Sequence, residues 1–253
     1  MNRVVKIVLF MGFWLSGVAM AAPAGVFSEV VGDVTMTPAG KAPVKVKTGD
    51  SFESGARMVT GPQGHANLKF EDGELMALAV NTDFTVTNYR YVPSAPAEGS
   101  VIVNLARGGL RFVTGLIGKA NPSQFAVRTP TVTAGVRGSD GIVIINPNGG
   151  SVLVGSNGDK VTVTGADGVT VTLDAGTFSY STGPNASPVT FTAATAPAGI
   201  AALLDSAFSL IQTKLDTAVA NQSAAAAPLQ NAQSQVSGAG GGGGGTPTSG
   251  TSP

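Results

Sequence analysis

The stretch GHANLKFEDGELMALAV (64–80) decides how this chain folds. Ala66, Leu68 and Phe70 alternate with polar neighbours, the period of a strand with one buried face. Asp72-Gly73 follows, a pair that favours a hairpin turn because glycine takes positive φ without steric cost. From Leu75 to Val80 the chain is continuously apolar, as in a strand buried on both faces. A strand, a tight turn and a second strand make a hairpin, and the same grammar repeats in both directions.

Upstream, Val30, Gly32, Val34 and Met36 keep one parity. Downstream, alternation returns at Phe84/Val86, Val101/Val103/Leu105, Leu110/Phe112 and Phe125/Val127, and Ile142 to Ile145 is another two-faced run. Later pairs are Val152/Val154, Val161/Val163, Val169/Val171/Leu173 and Phe178/Tyr180. Turn signals punctuate these runs: Gly32-Asp33, Thr48-Gly49-Asp50, Gly61 to Gly64, Pro147 to Gly150, Asn157-Gly158-Asp159 and Asp167-Gly168. Many short strands at such spacing predict an all-β domain over 22–192, either sandwich-like or β-solenoid-like. SVLVGSNGD, KVTVTGADG and VTVTLDAGT, between 151 and 177, are near-repeats that would suit solenoid rungs or a meander.

The two ends read differently. Arg3 and Lys6 precede an apolar run, Ile7 to Val18, and Ala19-Met20-Ala21 is an A-x-A cleavage site. Residues 1–21 are expected to be a signal peptide cut after Ala21, so the mature chain is expected in the periplasm or outside the cell, with no stable membrane span. At the other end, residues 193–222 are expected to be a linker and one amphipathic helix. Ile200, Leu203, Leu204, Ala207, Phe208, Ile211, Leu215 and Val219 fall at helical spacing there. Such a helix would cover an open face of the β domain or serve self-association. The Ala/Gln/Gly-rich segment 223–253 cannot bury enough apolar surface to order itself and is expected to be disordered.

Composition excludes several chemistries. There is no cysteine, so disulfides, thiol catalysis and thiolate metal sites are out, and His65 is the single histidine. Without residues 1–21 the chain carries 13 basic and 15 acidic residues, a formal charge of −2, and no basic patch of the kind that binds nucleic acid. No GxSxG, HExxH, P-loop or dinucleotide motif occurs, and no cofactor is implied. His65 opens a strand and reads as a surface or edge residue. Glu71-Asp72-Gly73-Glu74 crowds three carboxylates that could do acid–base work, as in a carbohydrate-active enzyme, but a turn tip is ordinarily solvated. The 151–177 repeats lack the full GGxGxD pattern of calcium-binding β-rolls.

TPTVTAGVRGSDG (129–141) sets Arg137 between Gly135 and Gly138, with Ser139 and Asp140 after it. Flanking glycines permit close backbone approach, and an arginine fork can tie several carbonyls or a carboxylate, so a structural corner is expected. The alternative is a guanidinium offered to an anionic ligand. Gly135, Arg137, Gly138, Ser139, Asp140, Asp72 and Gly73 are therefore taken as fold-defining, and Arg107 and Arg111 as a possible basic binding surface on a neighbouring strand.

Four stretches in order resemble the FecR-like domain family: VVGDVTM (30–36), TGDSFESGARMVTGPQGHANLKFEDGELMAL (48–78), LARGGLRFVTG (105–115) and FAVRTPTVTAGVRGSD (125–140). In the family's signature, Thr-Pro-x-x-x-x-Gly-x-Arg-Gly-Thr is usual; here Ser139 replaces the last Thr and keeps a hydroxyl. The resemblance spans about 26–145, leaving 146–192 as a β-repeat extension. The family's namesake is a periplasmic sensor of ferric-citrate signalling with an anti-sigma segment and a membrane span, neither of which is recognised in this sequence. The resemblance implies an all-β fold and a non-enzymatic binding, sensing or adaptor role in the cell envelope, with an envelope protein or cell-wall polymer as partner. The alternative is a self-associating, matrix-like secreted protein.

Overall fold

The computed structural model describes residues 22–137, 140–146, 152–158, 160–197, 200 and 204. The expected signal peptide (1–21), Gly138, Ser139, most of the expected C-terminal helix and the tail (223–253) lie outside the described residues.

Strands dominate. In chain order they are β1 (Gly25–Val31), β2 (Val34–Thr37), β3 (Val44–Lys45), β4 (Ser51–Phe52), β5 (Arg57–Thr60), β6 (His65–Phe70), β7 (Leu75–Leu78), β8 (Asp83–Arg90) and β9 (Ser100–Val113). One short helix, α1 (Leu116–Ala120), precedes β10 (Phe125–Arg128), β11 (Val132–Arg137), β12 (Asp140–Ile145), β13 (Val152–Ser156), β14 (Lys160–Gly165), β15 (Thr170–Leu173), β16 (Thr177–Ser181) and β17 (Val189–Thr192).

These strands form two open layers. Layer A runs β4, β1, β6, β7, the second half of β9, β12, β13, β16 and β17, antiparallel throughout. Layer B runs β3, β2, β5, β8, the first half of β9, β10, β11, β14 and β15, with β9–β10 as its one parallel pair. The core lies between them: Phe27, Phe52, Phe70, Leu110, Phe112 and Val143 from layer A meet Met58, Phe84, Val103, Val127, Val136 and Val163 from layer B in one buried cluster. Phe27, Phe52, Phe70 and Tyr89 form a chain of ring contacts with centroids 5.1–5.7 Å apart, a geometry that adds to plain area burial.

The 151–177 near-repeats do not stack on one another. The first supplies β13 to layer A, paired with β12 and β16, while the next two form the β14–β15 hairpin in layer B. Similar local patterns thus enter different layers.

Among the described strands, only β9 belongs to both layers. Ser100 to Arg107 pair with β8, and Val101 to Asn104 also with β10; Leu110 to Val113 pair with both β7 and β12. The sequence shows two alternating runs here, and the structure shows one bent 14-residue strand. The bend is at Gly108, with φ of +89°. A Cβ there would lie 2.4 Å from Thr82 Oγ1 and 2.5 Å from Thr82 Cα. Buried Thr82 holds the next residue, its hydroxyl donating to the Gly109 carbonyl (3.2 Å) and accepting from the Gly109 amide (3.1 Å). The Thr82 amide donates to Thr60 Oγ1, which donates to the Ala79 carbonyl. No turn motif announces this knot of threonines.

Gly108→Ala therefore meets both left-handed strain and backbone collision. It should cost about 3 kcal/mol of unfolding free energy by denaturant titration. Gly168→Ala, with φ of +83° but open space around the missing Cβ, should cost only about 1 kcal/mol.

Candidate functional site

Asp72 and Gly73 form the expected β6–β7 turn. The Gly73 amide donates to the Phe70 carbonyl, and Gly73 has φ of +84°. The turn is not solvated, however: Asp72 is 2% and Glu74 0% exposed. Asp72 Oδ1 accepts from the Glu74 amide (3.2 Å) and the Tyr89 hydroxyl (3.3 Å), and Oδ2 from the Ile117 amide (3.2 Å). Its carbonyl accepts from the Leu116 amide. Gly115 makes this approach possible, since a Cβ there would lie 2.4 Å from Asp72 Oδ2. Asp72 is thus an internal clasp between the hairpin and α1.

Glu74 is the odd member. Neither carboxyl oxygen has a hydrogen-bond partner among the described residues. Burial, and then the Asp72 charge, push its pKa well above the ordinary value, which favours the neutral acid. Tyr89 is shifted the same way, first by burial and then by Asp72. This corrects the expectation of a solvated acidic tip. It also removes the basis for an acid–base pair, since both carboxyls are sealed from solvent.

Asp140 has a partner that sequence spacing did not find. Arg111 donates from Nε to Asp140 Oδ1 (3.0 Å) and from Nη2 to Oδ2 (2.6 Å), while Asn157 Nδ2 donates to Oδ2 (3.0 Å). Arg111 is 3% exposed, so it is not part of a basic surface: its neighbours on β7 and β12 are Ala77 and Ile142, and burial there demands an ion partner. Arg107 remains exposed, with Nε donating to the Asn81 carbonyl. Arg137 ends β11, its backbone opposite Lys160. His65 is half-buried in β6, between β1 and β7 rather than at an edge.

The accessible candidate is the outer face of layer B. Strand register aligns Thr37, Arg57, Thr85, Asn104, Arg128, Thr133, Thr164 and Thr170 in one row across eight strands. Every member can hydrogen-bond, and none is buried. Beside it run Ala126, Gly135, Thr162 and Thr172. The single methyl of Ala126 and the bare Cα of Gly135 leave a groove of about 650 Å³, bordered by Asn121, Pro122 and Ser123 and by Thr133 and Thr164. A Cβ on Gly135 would stand 2.8 Å from Thr162 Oγ1, so Gly135 keeps this floor open. Arg57 binds Asp83 through two hydrogen bonds and holds the carboxyl below its usual range. Arg107 lies opposite Asp83, so this end of the face is positive. The row was hidden in the sequence because its members come from eight separate strands.

Two predictions follow from the buried charges. Glu74 binds its proton more tightly folded than unfolded, so its contribution is fully present below about pH 4.5 and is lost as pH rises through the folded value. Above that lower limit, wild-type stability should fall relative to Glu74→Gln by up to about 1.4 kcal/mol per pH unit, read from denaturant midpoints between pH 4.5 and 8. Arg111→Ala strands Asp140 and should cost about 3 kcal/mol, with Arg111→Lys recovering only part, because an ammonium cannot make the two-pronged contact.

Comparison with known proteins places these features. Residues 56–159 match the sequence profile of the FecR protein family. No curated protein sequence gives a significant match. Two crystal structures of a proposed anti-sigma factor from Parabacteroides distasonis ATCC 8503 are similar at 17% and 19% identity, with TM-scores of 0.43 and 0.42. The matches cover 54% and 53% of this chain but only 59% and 57% of those chains. Asp72, Arg111 and Asp140 all fall within the profile match, which marks residues 56–159 as the FecR-like part of this chain.

Proposed function

We propose that the chain is a non-catalytic binding module of the cell envelope, acting in sensing or as an adaptor. Its working surface is the outer face of layer B. The observation that carries this reading is the eight-residue polar row beside the groove at Ala126 and Gly135. Hydroxyl, amide and guanidinium groups in register suit an extended polymer that repeats hydroxyls, amides and carboxylates, as a cell-wall polymer does. The FecR-like part and the signal-peptide pattern support an envelope role. Among the described residues, no helix is long and apolar enough to cross a membrane.

Co-sedimentation of the purified chain with isolated cell-wall sacculi tests this. The wild type should pellet, and Thr133→Glu/Thr164→Glu, which places two anions at the groove rim, should bind at least about tenfold more weakly. Equal pelleting of both forms would remove the groove from the reading. A soluble wild type that instead sediments as a concentration-dependent oligomer would favour self-association.

A further inference from the structure

The outer face of layer A is the opposite of layer B. Register puts Ala77, Arg111, Ile142, Gly155 and Phe178 in one row, and Gly109, Ile144 and Leu153 in the next. Ile142, Ile144, Leu153 and Phe178 form a cluster separate from the core, and Ile200 and Leu204, both with helical backbone, are buried in it. Further along the same face, Leu75 and Ala77 are nearly inaccessible, yet among the described residues they cluster only with Ala79 and Val113. The one charge in the middle, Arg111, is neutralised by Asp140. Gly109, Gly155 and Ala77 keep the surface shallow enough for a helix to lie against.

We propose that residues 205–215 of this same chain continue the helix from Leu204 across β9 to β7 and are the cover of this face. The spacing fits. Strands lie about 4.8 Å apart, so β12 to β7 is about 10 Å, and a helix rising about 1.5 Å per residue crosses that in about seven residues. Ala207, Phe208 and Ile211 continue the stripe of Ile200 and Leu204 at three- and four-residue intervals, while Asp205 and Gln212 lie off it. The tether is short: Thr192 caps the turn Ala193–Thr195, and Ala196 already packs on the cluster. The C-terminal segment thus completes the fold on the side away from the polar groove.

Amide hydrogen exchange on the full chain tests this, at concentrations where sedimentation shows a monomer. Residues 205–215 should exchange at least about tenfold more slowly than a free peptide. Phe208→Glu/Ile211→Glu should abolish that protection and raise binding of an apolar-surface dye, while the β signal in circular dichroism stays. Gln212→Glu should change neither. Free-peptide rates in the wild-type segment would overturn the proposal. So would protection that appears only as a dimer forms, since the cover would then be a second copy.

Discussion

Everything in this fold hangs on the backbone passing Thr82 at Gly108. A two-layer β protein needs its sheets held in register, and here one strand does so by belonging to both. The passage works because position 108 has no side chain and Thr82 binds both backbone groups of Gly109. Four strands (β7 and β12 on one side, β8 and β10 on the other) take their alignment from β9. The alternating hairpins before and after it then fall into either layer.

Two acids fasten the surroundings of this strand, one buried (Asp72) and one half-buried (Asp140). Asp72 clasps the turn that follows β9, and Asp140 receives Arg111 from within it. Both tie together segments far apart in sequence, and each leaves its partner costly to remove. Glu74 shows the opposite economy. It is a buried carboxyl with no donor among the described residues, and its surroundings favour the neutral acid. Asp72, Glu74 and Arg111 thus act inside the fold, while the polar row on the outer face of layer B carries hydroxyls, an amide and two arginines.

The strands were legible from side-chain alternation, and the Asp72-Gly73 turn from glycine's freedom at positive φ. The two-faced runs at Leu75 and Ile142 correctly marked strands covered on both sides. Layer membership was not legible, because alternation fixes which side chains share a face and not which sheet receives them. The continuity of β9 was masked at Gly108-Gly109, which interrupts the alternation between Leu105 and Leu110. The partner of Asp140 was not legible in its own motif, because Arg111 comes from 29 residues away. Burial of Glu74 left no local trace, since a turn rich in carboxylates normally faces water. The polar row exists only once eight strands are aligned.

The shared strand also governs how the chain can acquire its structure. β1 to β8 place strands in both layers, yet neither layer has its middle member until residues 100–113 are in place. The strands beyond Gly115 likewise attach to β9 through β10 and β12. The two layers consequently cannot mature as independent subdomains. Loss of β9 from either one withdraws it from the other, so opening should be a single cooperative event rather than a peeling of sheets.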